Sequence, residues 1–154
     1  MHKSIWMVIA LLSLVGCATG RLSDEERLQL YRANAGAPLR DFRYGNSLAG
    51  WTALGGSALA VWTRPNQAYL LELRASCNEL GYAPAIAVTQ RFGQVSARFD
   101  NVIALGGPGM IRIPCRIETI RPLDVKAIRA SEKQLREARM QERTEAEAEQ
   151  TPQD

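Results

Sequence analysis

The sequence predicts an α+β domain, with an antiparallel sheet of about six to eight short strands, an N-terminal helix and a longer C-terminal helix. Three observations carry this reading. A helix-start signal at Ser23 and Glu26 precedes a periodic apolar stretch. From Leu39 to about Arg121, short β-rich runs alternate with Gly, Pro and Asn. After Pro122 a charged, helix-forming stretch runs toward the C-terminus. The strand pattern leaves open whether the sheet curls into a partial barrel.

Ser23 and, three residues later, Glu26 form a capping box, and Asp24 and Glu25 suit the positive end of a helix dipole. Leu28, Tyr31 and Ala35 fall on one stripe with Leu30 beside it, which leaves Arg27, Gln29 and Arg32 for water. Gly36 is expected to close the helix in a left-handed conformation, and Pro38 forbids its continuation.

In the β-rich region Phe42 and Tyr44 alternate with Arg43, and a second run from Leu48 to Leu54 contains Trp51. Gly55 and Gly56 end that run. Ala58 to Thr63 is apolar on both faces, as a central strand would be. Arg64 to Gln67 make a turn, after which Tyr69, Leu71 and Leu73 point one way and Glu72 and Arg74 the other. A second hairpin is expected from Ile86 and Val88, through a turn at Phe92 and Gly93, into Val95, Ala97 and Phe99. Val102 to Leu105 and Met110 to Ile113 flank a loop of Gly106, Gly107, Pro108 and Gly109, and Ile117 to Ile120 closes the series.

Asp124 is placed to cap the second helix. Val125, Ile128, Leu135 and Ala138 supply a thin apolar stripe, enough to dock its first half on the sheet. Beyond Met140 the stripe disappears. Glu132 with Arg136 and Arg143 with Glu147 are spaced as i,i+4 pairs, each contributing about 0.2–0.5 kcal/mol. Residues 141–154 are therefore expected to be a charged, fraying helical tail, with a partner-touching arm as the alternative.

The N-terminus speaks to location. Lys3 supplies a basic start, an apolar run from Ile5 to Val15 is broken only by Ser13, and Leu14, Val15 and Gly16 precede Cys17. Spanning a bilayer takes about 20 apolar residues, so this run is too short to be a permanent membrane span. The pattern is that of a lipobox, in which the Cys17 thiol receives a diacylglycerol and becomes the first mature residue. An ordinary secretory signal with an incidental cysteine is the alternative. Two or three acyl chains anchor stably where one is marginal. Ala18 after the cysteine, with no Asp to retain the protein at the inner membrane, points to the inner leaflet of the outer membrane, facing the periplasm. Residues 1–16 are then signal peptide, 17–22 lipidated anchor and short linker, and 23–140 the globular domain. The five residues Ala18 to Leu22 reach less than about 20 Å, which keeps the domain near the headgroups.

Removing residues 1–16 leaves 138 of 154 residues, enough for one domain with a hydrophobic core. Of 19 Lys+Arg, one lies in the signal, so the mature chain carries 18 against 16 acids, a net charge of +2 and no nucleic-acid footprint. Residues 21–123 hold 12 Arg against 8 acids, which gives the globular part a mild positive surface. The one His is His2, in the signal. A mature chain without imidazole cannot run a Ser-His-Asp or Cys-His mechanism and lacks the commonest transition-metal ligand. No cofactor or metal is expected.

Cys77 and Cys115 are expected to form a disulfide in an oxidising periplasm, since their separation fits neither a redox CxxC nor a zinc knuckle. A reactive thiol pair near Arg74 and Arg116 is the alternative. The glycine loop lacks the Lys-Ser/Thr of a P-loop, and Ser57 lacks the flanking pattern of a nucleophile elbow. Trp51, Trp62, Arg64 and Arg74 form a candidate ligand face able to stack a sugar or hold an anion, against the plainer reading of core aromatics and surface arginines. Glu72, Asp100 and Glu118 admit a carboxylate-pair hydrolase only if they converge; strand carboxylates facing arginines are the ordinary reading.

The lipobox, the Leu22 to Tyr31 helix ahead of Arg40 to Tyr44, the Ala58 to Leu73 hairpin, Arg98 to Ile103, and Cys115 leading through Arg121, Pro122, Leu123 and Asp124 resemble a family of small bacterial lipoproteins known only as a domain of unknown function. The resemblance covers nearly the whole mature chain. It implies a fold and a compartment and no activity.

The expected role is non-catalytic: an envelope interaction or structural module. Its expected partners are the membrane, through acylated Cys17, and an envelope protein. A binder of a small or anionic envelope ligand is the second reading, and an enzyme using carboxylates the third.

Overall fold

The capping box forms: the Glu26 amide donates to the Ser23 hydroxyl at 3.2 Å, and the Ser23 amide donates to Glu26 Oε2 at 2.8 Å. Helix α1 (Asp24–Ala33) starts from it in a computed structural model that describes residues 21–45, 47–106 and 112–149. The helix ends differently from expectation. Asn34 is the cap, its side chain donating to Leu30 O at 2.8 Å, and Gly36 is not left-handed. The chain leaves the helix directly for the sheet. Ala35 and Leu39 bridge to Leu123 and Ile120, and the Gly36 amide donates to Pro122 O at 2.8 Å. A Cβ at Gly36 would lie 3.0 Å from the Pro122 ring, so close approach, not conformation, is what favours glycine there.

Among the described residues eight strands follow: β1 (Asp41–Arg43), β2 (Gly50–Ala53), β3 (Ala58–Arg64), β4 (Gln67–Leu73), β5 (Ala85–Val88), β6 (Gln94–Ser96), β7 (Asn101–Leu105) and β8 (Pro114–Leu123). Six of them form an antiparallel sheet in the order β2-β3-β4-β8-β7-β5, curled into a half-barrel, while β1 and β6 pair as a separate ribbon. The ten-residue β8 makes the curl. Its last residues pair with β4 (Leu71 opposite Ile120) and its first with β7 (Val102 opposite Cys115). Register shifts after Trp62 and Glu72 add twist, as bulges do.

Strand alternation builds a separate core on each sheet face. On one, Leu59, Val61, Tyr69, Leu71, Ile117 and Ile120 are covered by the ribbon, with Phe42 of β1 stacked on Tyr69 at 4.3 Å. On the other, Ala58, Ala60, Ala68 and Leu70 meet Leu28, Leu30 and Tyr31 of α1. The small alanines let that helix come close.

The expected β3–β4 hairpin is present, with β3 interior to the sheet. The second expected hairpin is not. The Phe92–Gly93 turn forms, both residues with positive φ, but β5 pairs with β7, and β6 with β1. The reason lies at Asp100, which is buried. Its carboxylate accepts from the Thr89 hydroxyl and the Ser96 amide, each at 2.8 Å, and Arg98 adopts φ 68°. This turn reverses the chain at residues 97–99, leaves Phe99 exposed, and returns β7 to the ladder beside β5. Gly107, Pro108, Gly109, Met110 and Ile111 lie outside the described residues, and Arg112 and Ile113 precede β8 without joining a strand.

Helix α2 (Val125–Glu149) is capped by Asp124, whose Oδ1 accepts from the Ala127 amide at 2.9 Å. Val125 and Ile128 are buried, whereas Leu135 and Ala138 no longer reach the sheet. The helix continues antiparallel to α1: Glu132 meets Tyr31, and Arg139 meets Glu26 at 3.0 Å. It is one unbroken element to Glu149; residues 150–154 of the expected tail lie outside the described residues. Cys77 and Cys115 form a disulfide, Cα–Cα 6.0 Å, joining the loop after β4 to the start of β8.

Candidate functional site

The four residues of the expected ligand face do not share a surface. Trp51 sits opposite Val61 and packs against the ribbon-side core, whereas Trp62, one position on, packs against the helix-side core. Pleating sends adjacent residues to opposite faces. Arg64, exposed, borders a shallow hollow of about 590 Å³ with Arg43 and Gln67. Arg74 lies seven residues beyond Gln67, about 23 Å along the strand, and its Nε donates to Glu118 Oε2 at 2.9 Å. Register, which a single strand's sequence does not reveal, separates them.

The three carboxylates, Glu72 on β4, Glu118 on β8 and Asp100 in the turn before β7, are each engaged. Glu72 accepts from Arg32 Nε at 2.9 Å and from the Thr119 hydroxyl at 2.8 Å. Glu118 holds Arg74 and, at 3.5 Å, Arg98. Asp100 is committed to Thr89 and Ser96. Among the described residues, no group of three or more His, Cys, Asp or Glu is placed to hold a metal ion. No described helix is long and apolar enough to cross a membrane, and Cys17 lies outside the described residues.

The arrangement with chemical potential lies elsewhere, in a cleft of about 730 Å³ between α1, α2 and the β2–β3 edge. Its floor is aromatic. Tyr31 and Trp62 meet edge to face with centroids 6.4 Å apart, and Leu22 and Leu135 extend the apolar lining. Five arginines converge on it, Arg21, Arg27, Arg136, Arg139 and Arg143, against the single lining carboxylate Glu132. Arg136, Arg139 and Arg143 recur at intervals of three and four, so α2 presents them on one stripe. Arg27 comes from α1 and Arg21 from the segment entering it.

Two of these cations are pinned. Arg27 Nη1 donates to Ala53 O at 3.3 Å and lies 3.9 Å from Asp24; Arg139 pairs with Glu26. The side chains of Arg21, Arg136 and Arg143 have no hydrogen-bond or ion-pair partner among the described residues. Hydrogen bonds from Ser23, then the Arg139 charge, hold the Glu26 carboxyl below its usual range. Tyr31 donates to Glu132 at 3.3 Å, and burial, reinforced by the Glu132 charge, pushes the phenol up to about 12. It therefore remains a neutral donor at physiological pH. A positive rim over an aromatic floor can hold an anion attached to an apolar body.

The sequence reading missed this cleft, treating the stretch after Pro122 as a charged helix with a thin apolar stripe and 6 basic residues against 8 acids over 124–154. The available signal was the spacing of the three α2 arginines, but nothing local shows that Arg21 and Arg27 face them.

A family model, described as a family of unknown function (DUF6491), matches residues 1–139. No curated protein and no solved structure matches the chain.

Proposed function

The chain belongs to DUF6491, a family of unknown function, and on that premise we propose that it is a lipid-anchored, periplasm-facing lipoprotein acting as a non-catalytic interaction or structural module of the cell envelope. The observation that supports this most is the position of the arginine-lined cleft relative to the lipobox. Arg21, at the cleft, follows Cys17 by four residues, a span of at most about 14 Å. An acylated Cys17 would hold the cleft beside the headgroups. The non-catalytic part of the reading is supported by the absence of His after residue 2 and by strand carboxylates committed to structural partners.

The test is expression of the full chain in a Gram-negative host, followed by membrane fractionation and intact-mass measurement. The expected result is a mature N-terminus at Cys17, a mass raised by thioether-linked diacylglycerol, and recovery in the outer-membrane fraction. Cys17→Ala should abolish the acyl mass and the outer-membrane recovery. A wild-type chain cleaved elsewhere and released as a soluble periplasmic protein overturns the reading. The second role, binding of an anionic envelope ligand, is favoured by the cleft rather than by the sheet face.

A further inference from the structure

We propose that the cleft between α1 and α2 binds the phosphate group of an anionic amphiphile, with Arg136 and Arg143 as principal ligands and the Tyr31–Trp62 floor under the apolar part. The proposal deepens the second role and rests on the anchored reading only for its orientation toward the membrane. Cleft volume, about 730 Å³, falls in the range of small-molecule sites. What sets it apart from an ordinary charged surface is the unequal use of its cations. Arg27 and Arg139 are held by Ala53 O and Glu26, which sets the walls, while Arg21, Arg136 and Arg143 have no partner among the described residues.

A guanidinium offers a planar fork that matches two oxygens of one anion. A phosphate has enough oxygens to take forks from more than one arginine, whereas one carboxylate is satisfied by a single fork. Converging unpaired arginines therefore favour phosphate. Glu132 opposes an anion, but its Oε1 already accepts from Tyr31 on the floor, and it is one carboxylate among five lining arginines. The half-buried Trp62, with Leu22 and Leu135, supplies apolar surface that a bare ion would leave unused. Phosphate is shared by lipid headgroups and soluble phosphate esters, and the test separates them.

The mature full chain, purified in nonionic detergent, is titrated with micelles doped with short-chain phosphatidic acid or with the matching diacylglycerol, reading tryptophan fluorescence. Saturable binding of phosphatidic acid and none of diacylglycerol is expected. Arg136→Gln and Arg143→Gln should each weaken it about tenfold or more, the worth of one charge-assisted fork. Both residues are exposed and unpartnered, so melting temperature should not move, and Arg91→Gln, outside the cleft, should bind like wild type. Competition by inorganic phosphate supports a site that phosphate alone can fill and that admits soluble esters; lack of competition supports a lipid headgroup. Equal binding of the two micelles, or binding indifferent to both substitutions, overturns the proposal. The intact mass of the same sample reports acylation, so a chain that binds without acyl groups removes the anchored reading and keeps the site, while an acylated chain that fails to bind removes the site alone.

Discussion

Tyr31 of α1 and Glu132 of α2 meet across the helix pair, the phenol donating to the carboxylate at 3.3 Å while its ring stands edge-on to Trp62. A bond between residues 101 apart in sequence thus ties both helices to the sheet at the cleft floor. It also gives the fold an alkaline signature. Unfolded, a tyrosine releases its proton near pH 10; folded, Tyr31 does so at about 12. Between these values the unfolded chain holds fewer protons, so stability falls as pH rises. Thermal melts from pH 9 to 12 should show a steeper loss for the wild type than for Tyr31→Phe. Parallel slopes would remove Tyr31 from the account.

The Ser23 cap predicts an effect at the opposite end of α1. Ser23→Ala removes the acceptor for the Glu26 amide and should cost about 1 kcal/mol in urea unfolding. Because the Glu26 carboxyl is held below its usual range, its contribution is present above about pH 4.5 and is lost as pH falls through the folded value. The difference between Ser23→Ala and wild type should shrink in acid.

Asp100 is the buried carboxylate around which the chain reverses. Asp100→Ala takes the acceptor from the half-buried Ser96 amide and Thr89 hydroxyl, and should destabilise by about 1–3 kcal/mol in all. Hydrogen exchange should show the β6–β7 turn opening before the β3–β4 ladder. Uniform loss of protection across the sheet would contradict this local role.

The Cys77–Cys115 disulfide spans 38 residues, and the loop-entropy relation assigns it about 4 kcal/mol. Urea midpoints with and without reductant should differ accordingly, and Cys77→Ser with Cys115→Ser should match the reduced wild type. Folded, unreduced protein should offer neither thiol to a maleimide.

Much of the fold is legible in the sequence. The capping box at Ser23, the β3–β4 hairpin and the Asp124 cap all rest on contacts within a few residues of one another, which local sequence displays, whereas α1 stops at Ala33 under an Asn34 cap and not at Gly36. The Phe92–Gly93 turn was legible for the same reason. Its strand partner was not. Val88 could continue toward Val95 or pair with Val102, and alternation looks the same in both cases. The buried Asp100 cluster decides it through hydrogen bonds that join three separate stretches of chain.

The candidate site divides along the same line. Of the expected ligand face, Trp62 lies at the cleft, but Trp51, Arg64 and Arg74 are sent elsewhere by pleat and register. By itself, the sequence determines the two helix N-caps, the central hairpin, the two cysteines available to pair, and a lipobox-like pattern before Cys17, because each depends on residue type at short spacing. Tertiary structure alone decides that β8 joins two ladders, that α2 lies antiparallel on α1, and that arginines from residues 21 to 143 surround one aromatic floor. Those outcomes sum many weak contacts between distant segments, and only the packed chain brings them together.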